Sequence, residues 1–272
     1  MNYMDKFSLN DKVAIVTGGA GILGVHFCKG LAEAGANVIV ADINLEKAEI
    51  LAEEINRDYR GSAKAIFCDV TSEQSVVTMV SKTVEYFGRI DILHNNAAGK
   101  SSDLELFFAP FEDYELSQWN EIMNMNLDGM FLVAKHVGKI MKAQVEGGSI
   151  IQTASIYGIL GPDNRIYKES HYLGRQINTP AIYSVSKGGV VALTRYLATY
   201  WAPDGIRVNT ITPGGVESGQ NAEFINNYSN RIPLQRMARA EEMVGALIYL
   251  ASDASSYVTG HNLIVDGGLN AW

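Results

Sequence analysis

Short apolar, β-branched runs recur along this chain with room for a helix between most of them, and that alternation limits the fold more than any other feature. The runs cover residues 13–16, 37–41, 63–68, 90–94, 149–153, 207–211 and 263–265, with helix-length stretches such as 45–59 and 73–87 between them. Strands that are apolar throughout are buried on both faces, and strands joined by helices run parallel through right-handed crossovers. The pattern predicts an α/β chain with a doubly wound parallel sheet of about seven strands flanked by helices. No repeat, low-complexity tract or long linker interrupts it, so residues 1–272 read as a single domain.

Composition removes several function classes. The net charge is -8 and the cations are scattered, so no basic stripe is available to nucleic acid. No apolar run reaches the ~18 residues of a membrane span, and the start Met1-Asn2-Tyr3-Met4-Asp5-Lys6 lacks a signal-peptide pattern. The expectation is a soluble, cytoplasmic protein with no metal site. Cys28 and Cys68, without metal-ligand spacing, read as buried packing residues.

The first strand runs into a glycine turn, Thr17-Gly18-Gly19-Ala20-Gly21-Ile22-Leu23-Gly24, that opens a helix. In a Rossmann-type sheet such a turn brings backbone amides and a helix N-terminus to the pyrophosphate of a dinucleotide. Gly18, Gly21, Ile22, Leu23 and Gly24 are therefore cofactor-binding candidates. Asp42 ends the second run 24 residues after Gly18, where a carboxylate accepts hydrogen bonds from ribose hydroxyls and repels a 2'-phosphate, which favours NAD over NADP. Asp69 and Val70 follow the third run and are placed to meet the adenine, the lesser alternative for Asp69 being a helix cap before Thr71 and Ser72. Asn96, Ala97 and Ala98 follow the fourth, where small residues let the backbone pass close to the nucleotide. The segments 158–180 and 213–233 follow strands, are rich in Gly, Pro and polar residues, and read as substrate-covering loops.

Tyr183 and Lys187 are four apart, hence on one face of a helix, and Ser155 ends an apolar run. A tyrosine is a poor base at its ordinary pKa of ~10, so a neighbouring cation would be needed to activate it. Lys187 supplies that charge.

Taken together, the residues Thr17 to Gly24, Asp69, Asn95-Asn96-Ala97-Ala98-Gly99, Trp119, Asn126, Ser155, Tyr183, Lys187, Asn209 to Gly214 and Val265-Asp266-Gly267-Gly268 resemble the short-chain dehydrogenase/reductase family across nearly the whole chain. The resemblance implies that Tyr183 exchanges a proton with the substrate oxygen while Ser155 hydrogen-bonds it. It further implies that Lys187 lowers the tyrosine pKa and holds the nicotinamide ribose, and that Asn126 holds a water linking Lys187 to solvent. Pro213, Gly214, Val216 and Ser218 would lie against the nicotinamide carboxamide. The implied reaction is NAD-dependent interconversion of a secondary alcohol and a ketone, on a sugar, sugar acid or polyol. Two rivals are an NADPH-dependent 3-oxoacyl-carrier reductase, against which Asp42 and the acidic balance argue, and a non-catalytic dinucleotide sensor, which would have no use for a proton relay.

Two features depart from the family pattern. Ile22 stands where the family turn usually has its middle glycine, with Gly21 one place earlier. Ser155 and Tyr183 are 28 residues apart, and the excess, 162–180, carries Arg165, Lys168, His171 and Arg175 with Asp163 and Glu169. These are expected to form a polar wall of the substrate pocket. Assembly is expected to be a homotetramer, with one interface built on an apolar face of the helix from Ala181 that includes Val190, Val191, Leu193, Leu197 and Trp201, and with Gly188-Gly189 permitting close approach.

Overall fold

The computed structural model describes residues 2–59, 62–101, 103–172 and 175–272, with the backbone alone at 172, 175 and 176. Among the described residues seven strands form one parallel sheet: β1 (Val13–Thr17), β2 (Asn37–Asp42), β3 (Ala63–Phe67), β4 (Ile92–Asn95), β5 (Gly148–Thr153), β8 (Ile206–Pro213) and β9 (Asn262–Val265). Their order is β3-β2-β1-β4-β5-β8-β9. The chain reverses direction between β1 and β4, and ligands of open α/β sheets bind at such a switch point, beyond the carboxyl ends of the strands. Every expected strand is present, with bounds shifted by a residue or two. The short pair β6 (His171–Tyr172) and β7 (Arg175–Gln176) forms an antiparallel hairpin that the sequence did not announce.

Alternate side chains of each strand feed two cores. Ala14, Val16, Val38 and Val40 pack on one face against α1 (Ile22–Glu33), α2 (Leu45–Asp58) and α9 (Val244–Ala251). Ile15, Ile39 and Ala41 pack on the other against α3 (Glu73–Phe87), α6 (Gly129–Ala143) and α7 (Ala181–Trp201). Local chemistry fixes the helix ends. Asn44 caps α2 by accepting from the Lys47 amide, Ser72 caps α3 by accepting from Ser75, and Gly88, at φ 77, stops α3 in the left-handed region. Cys28 and Cys68 are both buried. Among the described residues no helix is long and apolar enough to cross a membrane.

The α7 face assigned to subunit contact is instead occupied within the chain. Val190, Val191, Leu197 and Trp201 are buried in its own cores, and Gly138 of α6 admits the Trp201 ring, which a Cβ there would meet at 2.3 Å. Gly188 and Gly189 likewise serve internal contacts, with the Gly158 carbonyl and the Leu127 side chain. The apolar residues that α7 exposes are Val185, Tyr196 and Tyr200. A 3.6-residue period shows that a helix has an apolar face, but not whether that face meets its own sheet or a partner.

Candidate active site

The turn after β1 closes on itself. Gly18 adopts φ 62, and its carbonyl accepts from the Gly21 amide at 3.1 Å. A Cβ on Gly24 would lie 2.0 Å from that carbonyl, so this position tolerates only glycine. No side chain caps α1, which leaves the amides of its first turn for an anion. Ile22 is 63% exposed at the first position of α1, so its side chain is not folded into the turn.

Asp42, at the end of β2, is held by two amides: Oδ2 accepts from Ala20 at 2.9 Å and Oδ1 from Asn44 at 2.9 Å. Its carboxylate is thereby fixed beside the glycine turn. Thr17 ties β4 to β1, its hydroxyl donating to Asn95 Oδ1 and accepting from the amides of Asn96 and Ala97 at 3.0 and 3.1 Å. Gly18 passes the Ala97 backbone so closely that a Cβ would come within 3.0 Å of its Cα. Asp69 makes a local turn, accepting from the amide and hydroxyl of Thr71, while the helix cap falls to Ser72. Val70 is buried and packs on Gly129.

Ser155, Tyr183 and Lys187 come together at the carboxyl ends of β4, β5 and β8. They line a cleft of about 260 Å³ together with Leu23, Asn96 and Pro213. The Ser155 hydroxyl lies close enough to the Tyr183 phenol to act on its titration, and it accepts from the Tyr157 amide at 3.3 Å. Buried Lys187 donates to the Thr153 carbonyl at 2.9 Å, and Thr153 is in turn bonded through its hydroxyl to buried His94 at 2.8 Å. Burial lowers the Lys187 pKa to about 8 and holds His94 neutral, with a pKa near 3. Burial raises Tyr183 above its ordinary value, and the neighbouring Ser155 hydroxyl pulls the other way. The lowering expected for the tyrosine is therefore not a property of the protein alone, because loss of water outweighs the neighbouring Ser155 hydroxyl.

Asn126 lies in a π-helical turn, Asn124–Asp128, between α5 (Leu116–Met123) and α6. Its side chain accepts from the Gly99 amide at 2.9 Å and donates to the Gly99 carbonyl at 3.4 Å. The side chain is thus spent on pinning the loop after β4, and a π turn inside a helix is a feature often found at functional sites.

A second cavity, of about 350 Å³, shares Ser155, Tyr183, Gly214 and Val216 with the cleft. Its walls are Ile156 and Tyr157, the segment before α7 (Ile177 to Pro180), the end of α4 (Leu104–Phe107) and one side of α8 (Ala222–Ser229). Both predicted loops thus contribute to it. The expected polar wall does not. Arg165 is 87% exposed by side chain and forks onto Asp163, which also meets Arg231 at 3.1 Å. Lys168 and His171 are exposed, and the Arg175 side chain lies outside the described residues. The insertion turns Ile166, Tyr167 and Ile177 inward and pairs charges outside, the cheaper arrangement for ions. Sequence reasoning missed Lys100, Tyr157, Tyr167 and Tyr228. Tyr157 was within reach, two residues after Ser155, whereas no local signal marks the others. Ser218 is exposed, its amide donating to Gln220 at 2.7 Å. A further cavity, of about 660 Å³, opens at the opposite strand ends between Lys12, Glu146, Arg207 and Asp253, away from these groups.

Gly158 brings the Ser155 segment onto α7, where a Cβ would lie 2.6 Å from the Lys187 carbonyl carbon. Gly158→Ala is expected to lower kcat about tenfold by moving Ser155 off Tyr183 and to cost about 1–3 kcal/mol of stability. Steady-state kinetics and thermal unfolding check both, and a variant unchanged in either would contradict the packing argument.

The chain is similar to known proteins over nearly its whole length. A family model described as Enoyl-(Acyl carrier protein) reductase matches residues 19–270. The chain belongs to the short-chain dehydrogenase/reductase family. Among relatives of this short-chain dehydrogenase/reductase, a trans-4-hydroxycyclohexanecarboxylate dehydrogenase of Sinomonas cyclohexanicum is 35% identical over 266 residues, 96% of this chain and 93% of its own. A D-threitol dehydrogenase of Mycolicibacterium smegmatis is 35% identical over 267 residues, 96% and 94% of the two chains. A solved gluconate 5-dehydrogenase from Burkholderia cenocepacia J2315, in complex with NADP and tartrate, superposes with a TM-score of 0.86 at 34% identity and covers 100% of both chains. The present chain is an oxidoreductase of this family, acting on CH-OH groups.

Proposed function

We propose that the protein interconverts a secondary alcohol and a ketone with NAD(H), on a polyol or hydroxy acid of sugar-like size. The reading rests on one juxtaposition: Ser155 and Tyr183 line both the cleft beside the glycine turn and the larger cavity next to it. A bound dinucleotide would supply the hydride acceptor. Tyr183 takes the proton of the substrate hydroxyl, Ser155 donates to the same oxygen, and Lys187 holds positive charge beside them. The π turn at Asn126 provides carbonyls through which a water passes the proton outward. Gly18, Gly24 and the uncapped start of α1 would receive the pyrophosphate, and Asp42 the adenosine ribose. Relatives named for a cyclic hydroxy acid, a tetritol and a sugar acid support a substrate with several polar groups.

Asp42, fixed by two amides and followed by exposed Ile43 rather than a cation, supports NAD over NADP even though the Burkholderia relative was solved with NADP. The kcat/KM ratio for NAD over NADP is expected to be at least about tenfold, and the double change Asp42→Ala with Ile43→Arg to reverse it. A wild-type preference for NADP would overturn this part. The exposed residues Val185, Tyr196 and Tyr200 on α7, and Leu234 with Trp272 at the other edge, fit a cytoplasmic homotetramer. Sedimentation at micromolar concentration tests the assembly, a monomer being the contrary result.

A further inference from the structure

The larger cavity has a one-sided chemistry. Its body is made by Phe107, Phe108, Ile177, Phe224 and Met237, aromatic and aliphatic groups that offer nothing to a chain of hydroxyls. Among its described lining residues there is no carboxylate, and the one formal cation is Lys100. The exposed Lys100 ammonium has no ion-pair partner among the described residues.

The neutral polar groups lean the same way. Tyr228 is only 3% exposed. Its hydroxyl lies near Tyr157 and the Gly215 amide without completing a hydrogen bond of good geometry. Burial pushes its pKa up to about 12, so it remains a proton donor at any physiological pH. A buried hydroxyl without a partner is costly and marks a place that a ligand satisfies. Gln220 is engaged by Val216 and Ser218, and Asn221 by the cap of α8, so neither serves the hydroxyls of a polyol freely. Among the fully buried side-chain atoms of the described lining, Asn178 Oδ1 is the other one without a partner, room for a single further hydroxyl.

We propose that this cavity selects a hydroxy acid with an apolar body over a neutral polyol, the substrate carboxylate being received by Lys100 with Tyr228 as a neutral donor. The inference rests on the alcohol-to-ketone reading and adds the charge class of the substrate to it. Ser155 and Tyr183 at one side take the reacting hydroxyl, the aromatic walls take the carbon skeleton, and the anion faces a cation that has no ion-pair partner among the described residues. An uncompensated ammonium at the rim also disfavours cationic substrates, which sharpens the choice.

The test uses NAD-saturated enzyme, wild type and Lys100→Met, with trans-4-hydroxycyclohexanecarboxylate, its carboxamide and xylitol as substrates. Wild type is expected to prefer the acid over the amide by roughly fivefold in kcat/KM, carried by KM, and Lys100→Met to collapse that ratio to about one. Calorimetric titration of cyclohexanecarboxylate, which has no hydroxyl to react, should show the same roughly fivefold loss of affinity in Lys100→Met, and Tyr228→Phe should weaken it too. Equal use of acid and amide by wild type, or an unchanged ratio in Lys100→Met, overturns the inference. Oxidation of xylitol but not of the acid overturns it while leaving the alcohol-to-ketone reading intact. No NAD reduction by any secondary alcohol overturns that reading itself.

Discussion

Tyr183→Phe is expected to lower kcat by about 10³ while leaving the dissociation constant for NADH within about threefold of wild type. Among the described residues, Tyr183 is the one titratable side chain that lines both the cleft and the larger cavity, and its ring, which the variant keeps, does the packing. Stopped-flow turnover and fluorescence titration of NADH separate the two effects. A variant that turns over normally would mean that the proton leaves by another route. A variant that fails to bind NADH would mean that the hydroxyl is structural.

Lys187→Met is expected to abolish turnover and yet stabilise the folded protein. Burial brings the Lys187 pKa to about 8 from an ordinary 10.5, so the folded state binds this proton less tightly than the unfolded state does. Below about pH 8 the lysine is protonated in both states and folding bears the full cost of burying the charge. Between the two values only the unfolded state holds the proton, and the cost fades as pH rises. Above about 10.5 both are neutral and the cost is gone. Removing the ammonium therefore gains about 3 kcal/mol at neutral pH, less about 1 kcal/mol for the lost hydrogen bond to Thr153. The net ~2 kcal/mol corresponds to a rise of about 4 °C in Tm for a chain of this size. Thermal unfolding of both proteins across the range from about pH 7 to pH 10 should show the advantage largest at the acid end and shrinking toward the alkaline end. A variant less stable than wild type at neutral pH would mean that the buried ammonium is not strained. Such a trade of stability for chemistry is what a catalytic group held out of water entails.

Much of the fold was legible because its strands are buried on both faces. Ile15 and Val16 feed opposite cores, and a strand of that kind cannot alternate polar with apolar residues. The site was legible where backbone geometry dictates residue type, as at Gly18 with its positive φ and at Gly24 against the Gly18 carbonyl. It was legible again in the one-turn spacing of Tyr183 and Lys187. The insertion before α7 misled because charge in a sequence does not say which way a side chain points. Arg165 and Asp163 satisfy each other at the surface while Tyr167 and Ile177 turn inward. The apolar residues of α7 misled for a related reason: Gly138 makes the hole that takes Trp201, and that contact spans 63 residues of sequence. Lys100 and Tyr228, which set the character of the larger cavity, come from loops and helices remote in the chain and meet only in the fold.

In the proposed reaction a hydride leaves the carbinol carbon of a substrate whose hydroxyl proton is taken by Tyr183. A substrate alcohol deuterated at that carbon, incubated with NAD and the wild-type enzyme, tests it most directly by mass spectrometry of the dinucleotide product. NADH one mass unit heavier than with unlabelled alcohol is expected, together with a slowed kcat/KM. Deuterium appearing in solvent, or an unlabelled dinucleotide, would contradict it.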